Sequence, residues 1–247
     1  MKAVILAAGK GTRMRELTAE TPKPMLKVQD KPILQHIVEG LVSAGISEIC
    51  VIVGWKKEVI QDHFGDGSAF GAKIAYVEQE VQDGTGKAPE LAKDFVGDDS
   101  LLLTYGDILV KGETYADMVS RFGEADFGGL VTVTEGEDVT KGGILLFNDD
   151  FTLNSLVEKP SAEQIAELKQ KGLLKDGDPA WYNAGIYIFN NVLFEFTAKL
   201  EKSPRGEYEL TDAITALVEN KHAIAGLEIG GRWVDVRDPE VLESLQD

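Results

Sequence analysis

Cysteine is nearly missing from this chain: there is one, Cys50, inside the apolar run EICVIVG (48–54). An internal disulfide is therefore excluded, and no Cys/His spacing of the zinc type exists. The thiol reads as a small apolar core residue, and the near-absence of cysteine points to a reducing, cytoplasmic compartment. Histidine is scarce too. His36, His63 and His222 lie in or beside helix-like stretches and in no motif, which argues against histidine acid–base catalysis. Long hydrophobic runs are missing: nothing approaches the roughly 20 residues that cross a bilayer, so no membrane association is expected. The opening AVILAAG is too short for a signal peptide and runs straight into glycines and basic residues. Positive charge is in short supply, with 25 Lys and Arg against 42 Asp and Glu and a net charge of −17. Nucleic acid needs a basic face, so it is not an expected partner.

What is present is alternation. Strand-like runs at 2–7, 48–54, 72–78 and 100–106 are separated by helical patterns at 32–44, 56–63, 86–95 and 113–122. Strands alternating with helices of this length predict βαβ units and a mostly parallel sheet covered on both faces. After about residue 125 the pattern loosens. FGGLVTVT and GGILLFNDDFTLNSLVEK read as a strand and a hairpin. A helix follows at 161–172, with Ser161 as N-cap and Gly172 as C-cap. A strand at 182–189, a helix at 208–220, a strand at 223–229 and a short helix capped by Asp238 complete the chain. The fold class expected is α/β: a Rossmann-like, mixed and mostly parallel central sheet with helices on both faces. One domain, 1–247, is expected, with halves of about 1–125 and about 126–247 and the smaller lobe in the second.

Against the acidic background the loop LAAGKGTRM, with Arg13, Arg15, Lys23 and Lys27 close by, is conspicuous. A dinucleotide fingerprint would place its third glycine where Met14 stands. A Walker A loop would need Gly-Lys-Ser/Thr, which is absent. Two readings survive on chemistry alone. Either backbone N–H groups, permitted by Gly9 and Gly11, wrap a triphosphate whose charge Arg13 and Lys23 balance, or this is a plain strand turn with incidental surface bases.

The run LAAGKGTRM…TPKPML closely resembles the signature of the sugar-1-phosphate nucleotidyltransferases (nucleoside-diphosphate-sugar pyrophosphorylases), and the resemblance continues over almost the whole chain. It implies catalytic roles for Arg13 and Lys23 and a nucleotide lying along Leu6, Ala7, Ala8, Gly9, Gly11 and Thr12. In EQEVQDGTGKA (78–88) it implies that Gln79 hydrogen-bonds a pyrimidine edge, with Gly84 and Thr85 against the nucleotide. A side-chain amide offers both the donor and the acceptor that a uracil or thymine imide edge requires. In LLLTYGDILV and GGRWVDVRDPEVL the resemblance makes Asp107 and Asp235 ligands of Mg²⁺. The two lie 128 positions apart, so spacing cannot show that they meet. The later half becomes a sugar-binding lobe, in which Gly143, Glu158, Lys159 and Asn183 contact the sugar phosphate. RGEYELTDAI (205–214) shapes the same pocket in the uridylyltransferases it resembles.

The activity implied is nucleotidyl transfer from UTP or dTTP to a sugar 1-phosphate, with pyrophosphate released and Mg²⁺ as cofactor. Cytidylyl or guanylyl transfer stays open, as does a catalytically silent sugar-nucleotide-binding regulator. Self-association is left open. The sequence stops soon after Asp235, so the C-terminal β-helix domain of larger relatives is not expected.

Overall fold

The computed structural model describes residues 1–175, 177 and 179–246. The first half runs β1 (Lys2–Ala7), two 3₁₀ turns (Thr12–Thr18 and Lys23–Met25), a small hairpin of β2 (Lys27–Val28) and β3 (Lys31–Pro32), α1 (Ile33–Ser43), β4 (Glu48–Val53), α2 (Lys57–Phe64) and β5 (Lys73–Glu78). It continues through α3 (Lys93–Val96), β6 (Leu101–Tyr105), β7 (Ile108–Val110) and α4 (Glu113–Phe122). The second half holds β8 (Gly129–Thr134), β9 (Gly143–Phe147), β10 (Leu153–Glu158), α5 (Ala162–Gln170), β11 (Trp181–Phe189), α6 (Leu193–Thr197), α7 (Leu210–Glu219), β12 (Ile224–Glu228), β13 (Trp233–Asp235) and α8 (Pro239–Glu243). Among the described residues no helix is long and apolar enough to cross a membrane.

Among the described residues one nine-stranded sheet runs through both halves. On one side β6, β1, β4 and β5 pair in parallel, in that order. β11 runs antiparallel beside β6 and carries the second half. It is a fork. Its first residues, Trp181 and Tyr182, pair with β9, whereas Ile186–Phe189 pair with β6. The register against β8 shifts between Asn183 and Tyr187, a bulge that re-aims the strand where the fork opens. The sheet is thus mixed, with its parallel part in the first half.

Both faces are covered, for a reason visible in β1. Ala3, Ile5 and Ala7 point into a core with Ile37, Ile60 and Met118 of α1, α2 and α4. Val4 joins the opposite core with Leu193 of α6 and Ile214 and Leu217 of α7. Alternation along a strand supplies both layers at once.

Two local expectations resolve differently. The stretch at 86–95 is a 3₁₀ turn, Ala88–Ala92, followed by the single turn of α3. Pro89 lacks an N–H to extend an α-helix, and Ala88, Pro89 and Ala92 are all buried. The ribbon of β7 and β13 is not anticipated, because β7 reads on from the apolar run of β6. Ser161 makes the expected N-cap as a full capping box with Gln164, and Asp238 accepts from the Val241 N–H to cap α8.

Candidate active site

The strand order turns back on itself between β1 and β6, the kind of place where open α/β sheets bind ligands beyond the strand ends. A cleft of about 410 Å³ lies there. It is lined by Leu6 and Ala7 at the end of β1, by Ala8, Gly9, Gly11 and Thr12 just after it, and by Gln79, Gly84 and Thr85 from the loop after β5. Arg13, Lys23 and Asp107 face it as well, so every residue expected at the nucleotide converges on one space.

Two glycines give the cleft its walls. Gly11 has φ 63° and starts the first 3₁₀ turn; a Cβ there would lie 2.9 Å from the Cβ of Lys23. Gly84 has φ 120°, and a Cβ would collide with the Tyr208 backbone. The loop is pinned to that backbone by Tyr208 N–H donating to Asp83 (2.8 Å) and Gly86 N–H donating to Tyr208 (2.8 Å). Only a residue without a side chain satisfies both the angle and the approach.

The two aspartates far apart in sequence do meet. β13 pairs antiparallel with β7, placing Asp235 opposite Ile108, and the Val236 N–H donates to the Asp107 carbonyl (3.0 Å). Lys23 Nζ lies 2.5 Å from Asp107 Oδ2 and 4.0 Å from Asp235 Oδ1. Burial, then the neighbouring Asp107 carboxylate, pushes the Asp235 carboxyl up to about 6, with Lys23, Arg237 and Arg13 pulling the other way. Two carboxylates held this close suit a hard divalent cation. Among the described residues no group of three or more His, Cys, Asp or Glu forms a ready-made cage. Asp107 and Asp235 could hold Mg²⁺, which takes one or two carboxylates together with waters and substrate phosphates.

The residues expected at the sugar do not line the nucleotide cleft but form a row beside it. Glu158 of β10 is the cross-strand partner of Gly143 of β9. Asn183 of β11 completes the row: a Cβ on Gly143 would lie 3.4 Å from Glu158 Oε2 and 3.5 Å from the Asn183 Cβ. Asn183 Oδ1 accepts from the Tyr187 hydroxyl (3.0 Å) and from the Gly185 N–H (3.3 Å). Tyr105, which lines the cleft, feels Tyr187 and Glu158 electrostatically, so it stands between the two subsites. Burial raises the Glu158 carboxyl above the usual carboxylate range, while Lys159 and Arg205 lower it. Lys159 is half-exposed, with Nζ 3.9 Å from Glu158 Oε1. Its φ of 44° is left-handed backbone that costs a side-chain-bearing residue about 1 kcal/mol.

Sequence reasoning passed over five contributors. Gln82 Nε2 donates to the Ala8 carbonyl (2.8 Å), tying the loop after β5 to the loop after β1. Arg205 lies 2.8 Å from Glu209 and 3.6 Å from Glu158. Tyr105, Glu207 and Arg237 line the cleft. All five stand in the quoted motifs, and Arg205 and Arg237 were legible as bases in an acidic chain. Their partners were not. None of the three histidines lines the cleft.

Residues 2–246 match the nucleotidyl transferase family. A 248-residue alignment is 39% identical to the low-salt glycan biosynthesis nucleotidyltransferase Agl11 of Haloferax volcanii, covering 100% of this chain and 65% of that protein. The UTP–glucose-1-phosphate uridylyltransferase AglF of the same organism is 34% identical over 97% of this chain and 93% of its own length. The bifunctional protein GlmU of Methanocaldococcus jannaschii is 38% identical, covering 99% of this chain and 53% of that protein. The chain thus spans about two thirds of Agl11 and about half of GlmU. Among solved structures, a candidate glucose-1-phosphate thymidylyltransferase of Bacillus anthracis, in complex with sucrose, superposes with a TM-score of 0.85. It is 26% identical and covers 100% of this chain and 94% of that one. A UDP-glucose pyrophosphorylase complexed with UDP-glucose shares the fold, with a TM-score of 0.84, 22% identity and coverage of 99% and 96%.

Proposed function

The chain belongs to the nucleotidyl transferase family, and from that premise we propose that it transfers a nucleotidyl group from UTP or dTTP to a sugar 1-phosphate. A sugar-phosphate oxygen attacks the α-phosphorus; the bond from that phosphorus to the bridging oxygen of the β-phosphate breaks, and pyrophosphate leaves. The nucleophile is already an anion, so no general base is required. Catalysis reduces to orientation and charge balance. Arg13 and Lys23 neutralise the charge that builds on the leaving phosphates. Glu158 and Asn183 hold sugar hydroxyls, Gly143 leaves room for the ring, and Lys159 meets the sugar phosphate. Arg205 fixes Glu158 in place. Gln79 reads the imide edge of the base while Gly84 lets the ring lie flat on the backbone. Asp107 and Asp235 would hold Mg²⁺, which when bound neutralises charge around the reacting phosphates. Magnesium dependence and a cytoplasmic setting belong to the same proposal.

The observation that carries this reading is the convergence of Gly9, Gly11, Arg13, Lys23, Gln79, Gly84 and Asp107 on one cleft, with Asp235 brought against Asp107 by the β7–β13 ribbon. Pyrophosphate release across UTP, dTTP, CTP and GTP, each with several sugar 1-phosphates, tests it. UTP or dTTP should dominate. Preference for CTP or GTP would correct the base assignment, and no release from any pair would leave a binding protein instead.

A further inference from the structure

Trp55 belongs to none of the motifs and does not line the cleft, yet it holds the loop that does. It follows Gly54 at the end of β4. Its backbone N–H donates to the Ala8 carbonyl (3.1 Å) and its indole Nε1–H donates to the Thr18 carbonyl (3.3 Å). Thr18 in turn donates its hydroxyl to the Gly11 carbonyl (3.1 Å) and is itself buried. These bonds make a closed circuit, from Ala8 along the chain to Gly11, across to Thr18, out to Trp55 and back to Ala8. Gly54 permits the close approach, since a Cβ there would lie 2.7 Å from the Ala8 carbonyl oxygen. The Lys10 ammonium lies 4.5 Å from the indole centroid and that of Lys56 5.7 Å. Lys56 also pairs with Glu20 (2.7 Å), just beyond the end of the loop.

The residues inside this circuit are those that should meet the triphosphate. Backbone N–H groups can cradle phosphates only while their directions are fixed, and a loop held at one end alone samples many directions. We propose that Trp55 is a positioning residue for the nucleoside triphosphate, a role that depends on the triphosphate reading above. By joining both ends of the loop 8–18 it sets the aim of the loop's N–H groups and of Arg13. The Lys10 ammonium rests on the indole and does not line the cleft, whereas Arg13 and Lys23 do.

Trp55→Phe keeps an aromatic ring for the two lysines and keeps the backbone bond to Ala8, but deletes the Nε1–H. Losing one such bond should raise the KM for UTP or dTTP about five- to tenfold. The Kd from calorimetric titration of the same nucleotide should rise in parallel, with the KM for the sugar 1-phosphate unchanged. Trp55→Ala should exceed Trp55→Phe in the same direction. A purely structural residue would lower the melting temperature and leave the nucleotide constants, measured well below it, unchanged. That result in Trp55→Phe overturns the inference, as does an equal rise in both KM values. Should Trp55→Ala fail to fold, Trp55→Phe decides alone. If the unmutated protein binds neither UTP nor dTTP by calorimetry, the triphosphate reading itself fails and Trp55 loses its role with it. Normal nucleotide binding by the unmutated protein and by both variants overturns the role of Trp55 only.

Discussion

The parallel and antiparallel parts of the sheet build their halves of the site in different ways. In the parallel part, functional residues stand in loops just past strand ends: Ala8 to Arg13 after β1, Gln79 to Thr85 after β5, Asp107 after β6. All those strands point the same way, so their C-terminal ends gather at one edge, and each loop brings what it carries. In the antiparallel part no shared edge exists. Gly143, Glu158 and Asn183 lie within strands and meet side by side through the register of β9, β10 and β11. A loop can change its residues without disturbing the sheet, whereas a row across three strands is fixed by the pairing that holds the strands together. Nucleotide handling should therefore fail through lost charge and misplaced backbone, and sugar handling through altered shape.

The strongest test of that contrast is charge removal on the loop side. Arg13→Ala and Asp107→Asn should each lower kcat by about 10²–10³, the scale for deleting one preorganised charge from an enclosed site. The KM for the sugar 1-phosphate should change little. Pyrophosphate release under saturating substrates measures both. Near-normal turnover in Arg13→Ala would remove that residue from the machinery, and a full rate in Asp107→Asn would remove the metal site.

The same contrast explains what could be read from the sequence. The alternation that produces β1, β4, β5 and β6 is local, and a residue just past an apolar run is identified by its position alone. Gly9, Gly11, Arg13 and Asp107 were accessible in that way. Register is not local. Nothing in GGILLF, SLVEK and YNAGIYIF states that Gly143, Glu158 and Asn183 share a row, because that depends on a hairpin offset and on the bulge near Gly185. Likewise the pairing of β7 with β13 closes a span of 128 residues between Asp107 and Asp235. Only the resemblance to a family supplied these meetings beforehand. The circuit through Trp55 was invisible for a third reason: its bonds run to backbone carbonyls, which any residue could present.

Two glycine substitutions sharpen the comparison at intermediate scale. At Gly84 an alanine is strained by the φ of 120° and blocked by the Tyr208 backbone. Gly84→Ala should cost about 1–3 kcal/mol of stability and raise the nucleotide KM together with it. At Gly143 the added methyl meets Glu158 and Asn183 at ordinary contact distance, so the fold should tolerate it. It nonetheless occupies space between two sugar contacts. Gly143→Ala should raise the sugar 1-phosphate KM about tenfold and leave the nucleotide KM alone. If Gly143→Ala changed both KM values alike while melting normally, the two subsites would not be separate in the way their construction implies.

The smallest effect is expected at the junction of the halves, in the protein without ligands. The Asp235 carboxyl is raised from an ordinary 3.8 to about 6 by burial and by Asp107. A folded-state value above the unfolded one means that the protonated form is favoured by folding. Its contribution is fully present below pH 3.8 and is lost as pH rises through about 6. At pH 8 the ionised group is therefore a net cost, and Asp235→Asn removes that cost while leaving the Lys23–Asp107 pair intact. With a side chain still about a quarter exposed, the gain should be about 1 kcal/mol. In a chain of this length that is about 2–4 °C in melting temperature. The difference between variant and unmutated protein should shrink as pH falls toward 5. Mg²⁺ should raise the melting temperature of the unmutated protein more than that of Asp235→Asn, because the carboxylate that strains the ligand-free fold is the one the cation would use. A variant less stable at pH 8, or a difference that ignores pH, would mean that Asp235 contributes stability through its pairing rather than holding a charge in reserve for catalysis.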